Sequence, residues 1–454
     1  MADAFPGVAG DEGVAGPVGG DDAPERARIL VRSLWQTVNI GDVAHAPGTL
    51  RALQRHGNAT GPGVDLSLWV QRIDDRERAM LERFFPAVRL VEGDLDERGE
   101  PTTPELQEEF ERADLLLHGP AASFGAEPQV RLWSAATGKP YGIFGVTVDP
   151  VTHPDWGTLD DLATKVRALP AGHLRRETRR LLDEASFVFC RDTLSLEYLE
   201  QQGVTAPVLG FGPDATFMFD VHDDAAATLL LEGYDLAAGD FVCVIPRLRY
   251  TPYYRIRGTE PTAEDLRRDE LNATFQDREL SKLRDLVTAV VRQTGRRVLL
   301  CPEMIYAVEL ARTELWEKLP ADVQSAVIAL PYYWAAEEAA AVYARAHSVV
   351  SMECHSPIMS VVAGTPTVYL RQPTDTIKGQ MWADLGLADS ILELDDLRAG
   401  ELEDFFQHKY ADYQNAVEST ARGRERAQSI LGDMVATALD AATGVRHSRQ
   451  SQAG

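Results

Sequence analysis

The stretch Ser351-Met352-Glu353-Cys354-His355-Ser356-Pro357 places two ionisable side chains and a thiol between a strand-like run, His347 to Val350, and a helix-like segment. Val349 and Val350 read as a buried strand, Ser356 as the helix N-cap, Pro357 as the first helical residue and Gly364 as the residue that ends the helix. Thr367 to Leu370 then supplies a second strand. Glu353, Cys354 and His355 are therefore expected at the carboxyl end of a strand, against a helix N-terminus. In open α/β sheets that is where a ligand meets unpaired N–H donors and a partial positive charge. A lone histidine is more often structural. Beside Glu353, at a helix terminus and followed by Arg371 and Lys378, His355 reads as a group that moves a proton.

Four further clusters fall at expected strand ends. Asn39, Gly41 and Asp42, in Trp35 to Asp42, make a turn before a helix, for which a plain loop with Asp42 as a cap is also adequate. His118-Gly119-Pro120, with Ser123 behind, is accounted for by a loop after a strand. Arg191-Asp192 follows the apolar run Ser186 to Cys190. A guanidinium there needs an anionic partner, because leaving it buried and unpaired is costly, and the partner is either a carboxylate of the chain or a ligand. Arg247 and Arg249, after Phe241 to Ile245, would serve a phosphate or face solvent.

The elements that must position these residues alternate. Apolar β-like runs such as Ala27 to Leu34, Val64 to Val70, Ala113 to Gly119, Pro140 to Val148 and Ser186 to Arg191 are separated by helical patterns, the signature of βα units around a mainly parallel sheet. An acidic break near Phe219 to Asp240 is followed by a second such series. The expected fold is α/β, with two Rossmann-like, doubly wound domains facing a cleft. The boundaries expected are a disordered tail at 1–26, a first domain at 27–220, a second with the late helices at 238–442, and a closing tail at 443–454.

Composition narrows the function. The 454 residues are 44% hydrophobic and 25% charged, as in a globular enzyme, and 70 acidic against 45 basic residues leave a formal charge of −25. That argues against nucleic-acid or anionic-membrane partners and leaves any anionic substrate dependent on a local cluster of cations. Without a basic start, an apolar leader or a long apolar run, a cytoplasmic protein with no membrane insertion is expected. Cys190, Cys243, Cys301 and Cys354 are scattered, so buried reduced thiols are expected rather than a disulfide. No metal-ligand spacing and no cofactor motif stand out.

Three motifs together resemble the polysaccharide pyruvyl transferase family. They are Asn39-Ile40-Gly41-Asp42; Arg191-Asp192 with Ser195, Leu199 and Gly203, followed by Pro213-Asp214; and Glu353-Cys354-His355 with Gly364-Thr365-Pro366 and Lys378. The family patterns are N-x-G-D, R-D-x-x-S-x-x-x-L-x-x-x-G with a later P-D, and R-x-H with a G-x-P tail and a lysine. The resemblance implies a GT-B-like domain pair and transfer of a pyruvyl group from phosphoenolpyruvate to hydroxyls of a sugar or glycosylated small molecule. It makes His355 the site histidine, with Glu353 beside it. Arg191 and Lys378 would hold the donor, supported by Arg247, Arg371 and Ser356, while Asn39, Asp42 and His118 would line the acceptor side or its loops.

Two positions depart from the pattern: Glu353 stands where the family has arginine, and Gly119-Pro120 where it has paired glycines. A carboxylate about 4 Å from a phosphate opposes it by roughly 4 kcal/mol at an effective dielectric near 20. Glu353 is therefore expected to pair with Arg191, Arg247 or Arg371, unless the donor is different. The alternatives are a glycosyltransferase-like enzyme in which Glu353 accepts hydrogen bonds from a diol of a nucleotide sugar, and a non-catalytic sugar-binding relative.

Overall fold

The computed structural model describes residues 26–453 apart from 35, 61–62, 72, 97 and 152–155. The opening tail expected at 1–26 lies outside the described residues except for Arg26, which pairs with Asp65 at 3.1 Å.

Seven strands form the first sheet: β1 (Ala27–Arg32), β2 (Val64–Val70), β3 (Arg89–Glu92), β4 (Leu115–His118), β5 (Tyr141–Val146), β6 (Phe187–Cys190) and β7 (Leu209–Phe211). Their spatial order is β3-β2-β1-β4-β5-β6-β7. Six more form the second sheet: β8 (Phe241–Ile245), β9 (Arg297–Leu300), β10 (Val327–Ala329), β11 (Ser348–Ser351), β12 (Thr367–Arg371) and β13 (Ile391–Glu393), ordered β10-β9-β8-β11-β12-β13. Every ladder is parallel. The strands are covered on both faces by helices, which is why they read as unbroken apolar runs. All five residues of β8 are 0% exposed.

The expected pair of Rossmann-like domains is what the chain forms. Each sheet reverses direction once, between β1 and β4 and between β8 and β11, and such switch points open a crevice at the strand ends. Asn39 follows β1, Arg247 follows β8 and His355 follows β11, so the candidate residues lie where the topology makes room.

One apolar cluster runs through both sheets, joining Ile29 and Val31 of β1 to Cys243 and Ile245 of β8. The last helix, Tyr413–Ala453, returns to the first sheet and buries Leu431, Met434, Val435 and Ala438 in that cluster. Its approach is close: a Cβ on Gly212, just past β7, would lie 2.6 Å from Met434 Cε. Where composition suggests a tail from 443, this helix continues to Ala453, and Gly454 lies outside the described residues. All four cysteines are buried and unpaired. No described helix is long and apolar enough to cross a membrane.

Candidate active site

The helix Ile40–Thr60 opens at Asn39, whose side-chain oxygen accepts from the N–H groups of Gly41 (2.7 Å) and Asp42 (3.2 Å). Asn39, not Asp42, is the cap, which leaves the Asp42 carboxylate free to accept from Gln36 Nε2. The Ile40 N–H donates to the Glu303 carbonyl at 3.0 Å, so the start of this helix is tied to the loop after β9.

The helix His355–Ala363 begins one residue before the expected cap, and Gly364 ends it in the left-handed region at φ 84°. Ser356 is a first-turn residue. Its N–H and its hydroxyl both donate to Glu303 Oε2, at 2.7 and 2.6 Å. A carboxylate reaching in from β9 thus replaces the hydroxyl cap, and a charged acceptor binds the free N–H groups more strongly than a neutral one.

Glu303 also fixes His355: its Oε1 lies 3.2 Å from His355 Nδ1. On the other edge, His355 Nε2 is 3.1 Å from His45 Nε2 and 3.9 Å from Asp214 Oδ2. The two rings meet edge to face at 4.8 Å between centroids. His45 Nε2 is itself 3.2 Å from Asp214 Oδ2, and His45 Nδ1 is 3.9 Å from Asp42 Oδ1. Arg191 closes the group, donating from NH1 to Asp214 Oδ2 at 2.7 Å and from Nε to Thr147 Oγ1 at 3.1 Å. Its NH2 is buried without an acceptor. Asp192 turns away and caps the helix Thr193–Gln201 through the Ser195 N–H at 2.7 Å.

Burial opposes charge throughout this group, but the contacts win. The His45 ring, the Arg191 guanidinium and the His355 ring hold Asp214 well below the usual carboxylate range despite its burial. Burial disfavours an imidazolium at His355, yet Cys354 and the Glu303 carboxylate hold its pKa well above the ordinary histidine value.

A second group adjoins at Cys354. Arg247 pairs with Asp375 and lies 3.5 Å from Glu353 Oε2, while Lys378 Nζ is 3.5 Å from Asp375 Oδ1. Of the expected partners of Glu353, Arg247 is the one found. Burial pushes the Glu353 carboxyl up to about 8, with Arg247 pulling the other way. Arg247 Nε has no hydrogen-bond acceptor.

Three candidates are engaged by partners within the chain. Arg371 is fully buried, donating to Glu393 Oε2 (2.7 Å), the Gly157 carbonyl (3.0 Å) and the Thr376 carbonyl (2.7 Å), and so holds the loop that presents Lys378. Arg249 pairs with Glu279 and Asp395 and lies over the Phe275 ring. His118 accepts from the Ala126 N–H at 3.2 Å through Nε2, which places its proton on Nδ1, facing the Gly119 carbonyl at 2.7 Å. Burial depresses its pKa to about 4, so it is a neutral brace for its loop.

His45 and Glu303 were not among the residues expected from sequence. Asp42 and His45 share the first turns of one helix at i, i+3 spacing, and Glu303 follows the apolar run of β9 just as Arg191 follows that of β6.

The chain matches the model of the family described as polysaccharide pyruvyl transferase over residues 39–372. No curated protein matches it in sequence. Among solved structures, Anabaena Alr3699/HepE in complex with UDP-glucose is 12% identical, with 91% of this chain and 99% of that chain covered and a TM-score of 0.50. The UDP-GlcNAc 2-epimerase from Neisseria meningitidis bound to UDP-GlcNAc is 11% identical, covering 94% and 100%, with a TM-score of 0.46. The E. coli ADP-heptose lps heptosyltransferase II is 12% identical, covering 84% and 98%, with a TM-score of 0.43. At these identities the likeness concerns the fold.

Proposed function

Because the chain belongs to the polysaccharide pyruvyl transferase family, we propose that it moves the pyruvyl group of phosphoenolpyruvate onto two hydroxyls of a sugar or glycosylated small molecule, as a ketal. The observation that carries this reading is Arg191: the guanidinium is buried, anchored by Asp214 and Thr147, and keeps NH2 without an acceptor. A buried donor without a partner calls for a ligand atom, and an anionic oxygen of the donor supplies one. Arg247 Nε and Lys378 add cationic donors one layer away.

The step balances as follows. His355 delivers a proton to the methylene carbon of the donor, leaving an oxocarbenium-like centre at the adjacent carbon, which a sugar hydroxyl attacks with loss of its proton. Inorganic phosphate then departs with the C–O bonding pair, and a second hydroxyl of the same sugar closes the ketal. Developing charge on the phosphate is met by Arg191, Arg247 and Lys378, fixed before the reaction begins. Glu303 orients His355 through Nδ1 and leaves Nε2 as the reacting edge.

Arg191, Asp214 and His45 come from the part at 27–220, and Glu303, His355, Arg247 and Lys378 from the part at 238–442; we place donor and acceptor between these two domains. The reaction belongs in the cytoplasm, where phosphoenolpyruvate is made. The test is phosphate release from phosphoenolpyruvate across a panel of sugar acceptors. Release that requires both donor and acceptor is expected. No release with any acceptor, together with turnover of a nucleotide sugar, would replace this reading with a glycosyl transfer.

A further inference from the structure

We propose that His45 Nε2, His355 Nε2 and Asp214 Oδ2 form a three-ligand site for a divalent transition-metal cation of the zinc class. The three atoms are separated by 3.1, 3.2 and 3.9 Å. Ligands bound tetrahedrally at about 2.0–2.1 Å stand about 3.3 Å apart. The ligand atoms of Asp42, His45 and His355 all lie within 4.8 Å of one another, so Asp42 borders the cluster.

The outer contacts carry the argument further. Histidines that bind a metal through one nitrogen characteristically present the other to a carboxylate, and ligating carboxylates are themselves hydrogen-bonded. Here the His355 ring does so, and a carboxylate stands beside the His45 ring beyond hydrogen-bond reach. His355 Nδ1 faces Glu303 at 3.2 Å and His45 Nδ1 faces Asp42 at 3.9 Å. Asp214 Oδ1 accepts from the Thr216 N–H at 2.9 Å, while Arg191 sits on Oδ2 at 2.7 Å.

Without a cation one buried ring nitrogen stays without a partner. His45 is 1% exposed and its Nδ1 has no hydrogen-bond partner. Charge gives the same answer. Asp42, Asp214 and Glu303 carry three negative charges against those of Arg191 and the His355 imidazolium, so the surroundings favour a cation in place of that proton. The neighbouring group, Arg247 and Lys378 with Glu353 and Asp375, is paired within itself.

A bound cation occupies the nitrogen that would otherwise carry the transferred proton, so zinc switches the transferase off. That consequence rests on the role given to His355 above; the binding does not.

The test uses metal-free full-length protein, titrated with Zn2+ by calorimetry and with Co2+ by its visible absorption. One site per chain is expected in the wild type and in His173→Gln, an exposed-histidine control. His45→Gln should bind at least about 100-fold more weakly, and Asp42→Asn about 10-fold. X-ray absorption of the cobalt form should show two imidazoles and oxygen. The proposal is overturned by absence of stoichiometric binding, by unchanged affinity in His45→Gln, or by a sulfur neighbour, which would place the metal on Cys354. Should circular dichroism show that His45→Gln does not fold, unchanged affinity in Asp42→Asn overturns it instead. Wild type that is inactive when metal-free yet binds metal stoichiometrically refutes the transfer reading alone, and an active one that binds none refutes this inference alone.

Discussion

Gly41 and His355 are packed so tightly that a Cβ built on Gly41 would lie 2.3 Å from the Cβ, Cγ and Nδ1 of the histidine. The absent side chain of one residue is what seats the imidazole of the other. Gly41→Ala should therefore cost activity by about 100-fold or more, since a displacement near 1 Å at a reacting group has that effect. Alanine normally favours a helix over glycine by about 0.5–1 kcal/mol. The overlap itself costs about 1–3 kcal/mol, which outweighs that gain, so Tm should fall along with kcat, and full activity in the alanine variant would contradict the placement of His355.

Glu303→Gln is expected to keep the fold and lose the reaction. The amide oxygen still accepts from Ser356, but the carboxylate that steadies His355 Nδ1 is gone. A fall in kcat of about 100-fold, with little change in Tm, is the expected result. Glu303→Ala leaves the Ser356 N–H and hydroxyl unsatisfied as well and should cost about 1–3 kcal/mol in chemical denaturation.

Arg191→Lys retains a cation but gives up the planar fork that reaches both Asp214 and an anion. The KM for phosphoenolpyruvate should rise by roughly 10-fold or more, as steady-state kinetics would reveal. Arg191→Ala removes the guanidinium from a fully buried carboxylate and should destabilise the protein by about 3–5 kcal/mol. An unaltered KM in the lysine variant would remove Arg191 from the donor site.

His118 should make the protein acid-sensitive. Its pKa is depressed from 6.5 to about 4 by burial, so the unfolded chain binds a proton over that interval and the native state does not. Its contribution is fully present above about pH 6.5 and is lost progressively as the pH falls towards 4. The loss is of order 3 kcal/mol. Urea denaturation at a series of pH values should show that slope, and His118→Asn should flatten it.

The architecture was legible because parallel strands buried on both faces carry largely apolar runs, as Phe241 to Ile245 does. The strand-end rule also located Arg191 and His355. It did not show which partners each cation would take. Arg371 finds Glu393 on the adjacent strand, and Arg249 finds Glu279 on the helix Ala263–Thr294, partners set by packing rather than spacing. Glu303 lies three residues past the end of β9, and no motif in the sequence marked it. His45 was hidden because its partners, Asp214 and His355, come from other elements. Ser356 shows the opposite error, a good capping residue displaced by a stronger acceptor from elsewhere.

The helix Tyr413–Ala453 covers the sheet that begins the chain, and this sets the order in which the protein can be completed. On the ribosome, β7 emerges long before Leu431 and Met434. At about 5–20 residues per second its apolar face waits on the order of ten seconds or more for them. The part that is synthesised first is thus finished by the part that is synthesised last. Translation paused before residue 413 leaves a greasy, chaperone-binding nascent chain, and cutting the gene between the two sheets yields an N-terminal fragment lacking its own lid.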